Sequence, residues 1–434
     1  MKSLLLLDLT GRVFLKKEKI FYWLVSAFYI SLFLPDMPVI NNILIGAALI
    51  HSLYYNTVQE KLLLLKERKE IWLMFLFYVW LAVSALLSAN QQEGMVLLVR
   101  RLPLLVFPVC IGSLYIREEL KDRILLSYCF FTTVAAAACM IYALFQYSRT
   151  GNAGDLYDDN LTEAIGRPSV YVAMAVNLSL FTYVYLLQKQ SFAIQYKGLV
   201  FLSIAFLVVF HYMLASRTSI LTLYAGFVAF TIWHYGRSRQ FVRGAMLIAV
   251  LVAGTFWMLQ AFPRTANRFK ELKNANYYSR AGEARDSAQR NSDQLNGTNV
   301  RFSVWNCGWE LFRRHPVTGV PLGDKEDKLI EIFKERQFTY AIQTRLNMHN
   351  TYLDVLCNLG IFGLLAFVLG YCLLPLLASS RAHDGLGLFI ILAFTTAMST
   401  ETWLDRSIGC IMAGFFLSLV SAWKRDLRYS NPVP

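Results

Sequence analysis

Apolar runs recur along almost the whole chain, and most are long enough to cross a lipid bilayer as a helix. They lie near residues 20–35, 38–56, 71–88, 96–116, 124–147, 168–187, 198–214, 216–235, 244–262, 353–378, 386–402 and 407–423. Several fall short of the roughly 20 residues that span a hydrocarbon core, so their ends are loosely set. The expectation is an all-α polytopic membrane protein with about 12 transmembrane helices. Charged residues make up 16% of the 434, against about 25% in an ordinary soluble domain, which agrees. The stretch Met1 to Lys19 is basic, and the apolar run after it has no small-residue cleavage site, so that run reads as a retained first span.

Loop charge orients the spans. Lys16, Lys17 and Lys19, then Lys61, Lys66, Arg68 and Lys69, then Arg117, Lys121 and Arg123 fall on one side. Lys189 and Lys197, Arg237, Arg239 and Arg243, Arg381, and Lys424, Arg425 and Arg428 fall on the same side. The alternate turns Pro35-Asp36-Met37-Pro38 and Ala89 to Gly94 hold no Lys or Arg. Positive charge favours the cytoplasmic side of short loops, so both termini are expected in the cytoplasm. The net charge of +13 comes partly from these anchors and points to anionic lipid, not to nucleic acid. The seven cysteines are scattered, with neither a disulfide framework nor metal-ligand spacing.

One large non-membrane stretch remains, so the chain divides into spans 1–262, an outer loop 263–352, and closing spans with a tail, 353–434. A connection of that length without a function would be unusual. Thr265 to Lys273 reads as a short amphipathic helix, and Asn274 to Thr298 as a polar, mobile stretch. Asn299 to Arg314 regains a helical period, with Phe302, Trp305, Trp309 and Phe312 forming an aromatic stripe. His315-Pro316 ends that helix. A turn-rich segment follows to Asp324, and then a charged helix from Lys325 to Phe338 with Leu329, Ile330 and Phe333 on one side.

Ionisable groups at membrane depth are the candidates for chemistry. His349 lies where the loop re-enters the membrane, just before Asn350, a good N-cap for the next helix. Exposed N–H groups at a helix start favour phosphate, and an imidazole there can take up a proton. An amphipathic ring also sits at headgroup level with no further role. Arg217 lies in a very short outer turn, against the charge rule, although arginines there also snorkel. Arg301 shares a loop-helix face with Trp305 and Trp309, and it is otherwise an ordinary solvated position. Arg100 and Arg101 fall about one turn inside the fourth span, so either the span starts later or they bind an anion. Arg167 precedes the sixth span, with Asp155, Asp158, Asp159 and Glu163 before it to neutralise it. Glu401, Asp405 and Arg406 read as an internal ion pair closing the bundle. No acidic residue sits in the middle of a span, which weighs against an ion-coupled transporter, and the outer loop has no Asp-x-Asp motif.

Four places resemble the O-antigen ligase and polymerase superfamily of membrane glycosyltransferases. They are Ser216-Arg217-Thr218-Ser219; Arg301-Phe302-Ser303-Val304-Trp305 with His315-Pro316-Val317-Thr318-Gly319-Val320; Met348-His349-Asn350-Thr351-Tyr352-Leu353 with Leu359-Gly360-Ile361-Phe362-Gly363-Leu364; and Glu401-Thr402-Trp403-Leu404-Asp405-Arg406. Pro321 stands where the family often has glycine, which affects only the local turn. The resemblance implies transfer of a glycan from undecaprenyl pyrophosphate to an acceptor hydroxyl at the periplasmic face of the bacterial inner membrane, without metal or cofactor. The acceptor is lipid A core for a ligase, a growing glycan for a polymerase, and protein Ser or Thr for an oligosaccharyltransferase. Ligase is the first expectation, and a glycan or lipid transporter the alternative of another class. On this chain the essential histidine is His349 and the pyrophosphate arginines are Arg217 and Arg301. Arg100, Arg101, Arg167 and Asn350 are further candidates for donor or acceptor contact. Arg217 and Arg301 can share one pyrophosphate only if the loop folds back over the membrane surface.

Overall fold

The computed structural model describes residues 15–35, 37–189, 197–237, 239–273 and 297–423. The basic tail at Lys424, Arg425 and Arg428, and the polar stretch from Asn274 almost to Thr298, lie outside the described residues. Among the described residues all regular structure is helical. Lys69–Leu86, Glu118–Thr150, Ser169–Leu187, Phe241–Ala261 and Thr351–Arg381 are long and apolar enough to cross a membrane. Shorter apolar helices, among them Lys197–Met213, Gly385–Met398 and Ser407–Ala422, pack with them. The chain is therefore an all-α, multi-pass membrane protein.

Burial divides the helices by role. Ser169–Leu187 and Ser407–Ala422 are enclosed along nearly their whole length and form the centre of the bundle. Phe28, Tyr29, Phe107 and Phe415 pack there edge-on or tilted, the rings 5.0–5.5 Å apart from Phe415. Phe241–Ala261 buries only Gly244 and Met258 and exposes Val250, Phe256 and Trp257. An apolar face of that extent would be untenable in water and suits lipid.

Two breaks interrupt the expected spans. The fourth, expected at 96–116, is instead two short helices, Gln91–Arg100 and Pro103–Cys110. Pro103 at the start of the second cannot continue the hydrogen bonding of the first, and Arg101 turns into the protein with no exposed surface. The second break is in the helix that follows His349. Gly360 takes φ 62° and ψ −164° between two helical stretches, a conformation open almost only to glycine. A Cβ there would lie 2.0 Å from the Val317 carbonyl oxygen. The loop backbone comes this close because it repairs the break. Val320 N–H donates to the Cys357 carbonyl at 2.7 Å, and Ile361 N–H to the Pro316 carbonyl at 3.1 Å. Trp80 Nε1 donates to the Leu359 carbonyl at 3.2 Å. Irregular backbone at membrane depth survives only when its polar groups are matched in this way.

The segment between the ninth and tenth expected spans is a small packed unit. Its helices are Pro263–Lys273, Gly297–Arg314, Lys325–Glu335 and Thr339–Thr344. Val304, Cys307, Leu311, Leu329, Ile332 and Phe333 form its core. The buried face of Gly297–Arg314 thus carries small and aliphatic residues, with Phe312 packed at its edge, while the two tryptophans point elsewhere. Trp309 is 45% exposed, and Trp305 donates its indole N–H to the Met348 carbonyl at 2.9 Å. The helical period of the aromatics thus marked the helix.

A polar seam also fastens this unit to the bundle. Asp324 accepts from the Ala89 and Asn90 backbone N–H groups at 2.9 and 2.8 Å. Leu322 and Gly323 N–H donate to Ser84 and Ser88 hydroxyls. Lys325 Nζ lies 2.6 Å from Asp354 and 3.4 Å from Asp405, while Arg101 Nη2 lies 3.2 and 3.0 Å from the same two carboxylates. Two cations and two anions thus cancel in a buried quartet that joins four separate segments. Burial alone would raise the Asp405 pKa, but Lys325 and Arg101 outweigh it and hold it below the ordinary carboxylate range. Burial likewise opposes the charge on Lys325, yet Asp354 and Asp405 together raise its pKa above the ordinary lysine range.

Candidate functional site: a polar cavity where the loop unit meets the bundle

The turn Asn347-Met348-His349-Asn350 is built from its own side chains. Asn347 Oδ1 accepts from the His349 N–H at 3.0 Å, an Asx turn, and Asn350 Oδ1 accepts from the Leu353 N–H at 3.0 Å, capping the helix Thr351–Phe367. Between these two bonds His349 is driven to φ 45°, a left-handed conformation that non-glycine residues seldom hold. Ala215, at the turn that delivers Arg217 to the head of its helix, has φ 49° for the same kind of tight reversal.

His349, Arg217 and Arg301 line one cavity of about 270 Å³. The loop unit lies over the bundle, so residues from the head of one membrane helix, from a loop helix and from the re-entry turn converge. Arg217 Nη1 donates to the Arg268 carbonyl at 2.8 Å and to Thr298 Oγ1 at 3.3 Å. Asn350 sits beside the cavity and spends its side chain on the helix cap.

The other arginines are elsewhere. Arg100 donates to the Asp405 carbonyl at 3.0 Å, and Arg101 is spent on the buried quartet and on the Leu404 carbonyl. Arg167 donates to the Leu32 and Leu34 carbonyls at 3.2 and 3.0 Å and tethers a neighbouring helix end. None of these three lines the cavity. The expected ion pair of Glu401, Asp405 and Arg406 is also replaced. Asp405 pairs with Arg101 and Lys325, whereas Glu401 and Arg406 face the cavity.

Glu401 is the residue that sequence reasoning placed wrongly. Its Oε2 lies 3.2 Å from His349 Nδ1 and 4.0 Å from Arg301 Nη2. Burial would raise its pKa, but the hydrogen bond and charge of His349, the Arg301 guanidinium and the Thr402 N–H outweigh burial and hold it below the ordinary value. An ionised carboxylate can only accept, so His349 Nδ1 carries the proton and Nε2 is the basic nitrogen. Thr351 locks the two partners together, donating to the Glu401 carbonyl at 2.8 Å and accepting from the Trp403 N–H at 2.9 Å. Two further liners carry unmatched polar atoms. Tyr171 Oη and Asn177 Oδ1 are buried without a hydrogen-bond partner. At the far rim Asp158 lies 2.9 Å from Arg264 and 3.0 Å from Arg268.

Among the described residues no group of three His, Cys, Asp or Glu side chains is close enough to hold a metal ion. The positive and hydrogen-bonding groups of the cavity suit an anionic, hydroxyl-bearing ligand, with a base beside it.

Residues 201–368 match the O-antigen ligase family, a range that takes in Arg217, Arg301 and His349 and stops short of Glu401. No curated protein matches the chain. That part of the chain is therefore similar to the O-antigen ligase family.

Proposed function

We propose that this protein is an O-antigen ligase: it transfers a glycan from undecaprenyl pyrophosphate to a sugar hydroxyl of lipid A core at the periplasmic face of the inner membrane. The observation that carries the reading is the convergence of two arginines and a histidine on one cavity where the loop unit meets the membrane helices. Arg217 and Arg301 hold the pyrophosphate. Guanidinium pairs bidentately with phosphate oxygens and keeps its proton, so it stabilises the charge that develops on the leaving group. His349 Nε2 takes the proton of the acceptor hydroxyl as that oxygen attacks the anomeric carbon, and the carbon–oxygen bond to pyrophosphate breaks.

This reading puts the unit 263–352 in the periplasm and both termini in the cytoplasm, in line with the loop charges. Deleting the gene and examining lipopolysaccharide tests it. Loss of the ligase leaves bare core with accumulated lipid-linked glycan. One repeat unit on core identifies a polymerase instead, and unchanged lipopolysaccharide with unglycosylated protein a protein oligosaccharyltransferase.

A further inference from the structure

Glu401 touches both halves of the site. Its Oε2 is 3.2 Å from His349 Nδ1 and 4.0 Å from Arg301 Nη2, so one carboxylate oxygen serves the base and a phosphate-binding arginine together. We infer that Glu401 is a positioning residue that couples donor binding to the base: pyrophosphate draws Arg301 away from Glu401, which is left to orient His349 alone. The inference rests on the functional reading above and deepens it.

Three observations carry it. First, Glu401 is held in place independently of both partners, by the Thr351 hydroxyl on its carbonyl and by the Thr402 N–H at 3.2 Å from its Oε1. It cannot follow Arg301 toward a ligand. Second, the two contacts differ in quality. The imidazole contact is at hydrogen-bond distance, whereas the guanidinium contact is at the outer limit of an ion pair. The looser one yields first when a doubly charged anion arrives, because charge-assisted bidentate bonds to phosphate are stronger. Third, His349 occupies a left-handed backbone conformation and lies at a rim where solvent reaches it. Its ring needs an external partner to present Nε2 in one direction, and Glu401 is the acidic side chain on its Nδ1.

The other charged liners of the cavity are Arg217, Arg268, Arg406, Asp158 and Asp159. Arg217 binds the Arg268 carbonyl, and Arg268 pairs with Asp158. Asp159 accepts from the Ser169 N–H at 2.6 Å. Asp405 is held in the buried quartet beyond Glu401.

The prediction separates binding from turnover. Glu401→Gln keeps the size and the backbone contacts but removes the charge. The pyrophosphate site loses a competing anion, so affinity for undecaprenyl pyrophosphate, and for inorganic pyrophosphate as a simple probe, should rise by about 2- to 5-fold, the scale of a partly exposed ion pair. Turnover should fall by on the order of 10²-fold, because the base is no longer held in one tautomer and direction. Glu401→Asp should recover part of the turnover. A merely structural role would lower affinity and turnover together and would not respond to Asp. Calorimetry with inorganic pyrophosphate on purified wild type and Glu401→Gln, beside single-turnover transfer assays, gives both readings. Weaker or unchanged pyrophosphate affinity, or unchanged turnover, overturns the coupling. Wild-type protein that transfers no glycan overturns the functional reading instead, and the affinity comparison still decides the coupling.

Discussion

His349 lies between an Asx turn behind it and a helix cap ahead of it, and this fixes where the imidazole sits more firmly than its own side-chain torsions could. The functional reading gives it one task, proton removal from the acceptor. His349→Ala is therefore expected to lower transfer by about 10²–10⁴-fold, with expression and donor binding retained. Transfer within a factor of two of wild type, measured with purified protein, would remove His349 from the mechanism. The arginines have a different signature. A lysine ammonium is a point charge and cannot make the two parallel bonds of a guanidinium to phosphate. Arg217→Lys and Arg301→Lys should each weaken donor binding and transfer by at least about tenfold. Normal binding and transfer by both variants would mean that they share no pyrophosphate.

The loop unit is held to the membrane helices by the quartet of Arg101, Asp354, Lys325 and Asp405 and by the backbone exchange at Gly360. Removing one charge from such a cluster leaves its partner buried and uncompensated, at a cost of about 3–5 kcal/mol. Lys325→Met should accordingly loosen the loop. Two of the four charges, Lys325 and Asp405, also set a pH window. The Lys325 pKa is raised on folding, so its contribution is complete below the ordinary lysine range and fades as pH rises through the raised value. The Asp405 pKa is lowered, so its contribution is complete above the ordinary carboxylate range and fades as pH falls through the lowered value. Both persist across the interval from about 4 to about 10. Protease cleavage within residues 297–350 should stay slow and nearly constant over that interval in wild type. Lys325→Met should be cut faster throughout it, and equal protection of the two proteins would assign the docking to the backbone contacts alone.

At the scale of the whole molecule, the chain brings arginines to the place where its loop unit meets the membrane helices. If arginines alone offset the pyrophosphate charge, transfer should survive EDTA. Loss of activity on chelation, restored by Mg²⁺ or Mn²⁺, would require a metal that the arginine account leaves out.

The amino-acid sequence by itself determined the helical, membrane-crossing character of this protein, because apolar length and charge placement act locally and need no partner. It also brought forward Arg217 and His349, each at a helix start, whereas Arg301 reads as an ordinary loop position and is singled out only through the family resemblance. It set the Asn350 cap, a side chain bonding its own backbone three residues on. The fates of Arg101, Arg167 and Glu401 were not legible. Arg101 and Glu401 look alike as charges near span ends, yet one is sealed in a neutral quartet and the other faces the cavity beside His349. That difference rests on contacts between residues 52 to 304 positions apart in the chain, as in His349 with Glu401 and Arg101 with Asp405. Only the packing of the loop unit onto the bundle decides which charges meet, because a buried charge takes its partner from whatever the tertiary fold brings within reach.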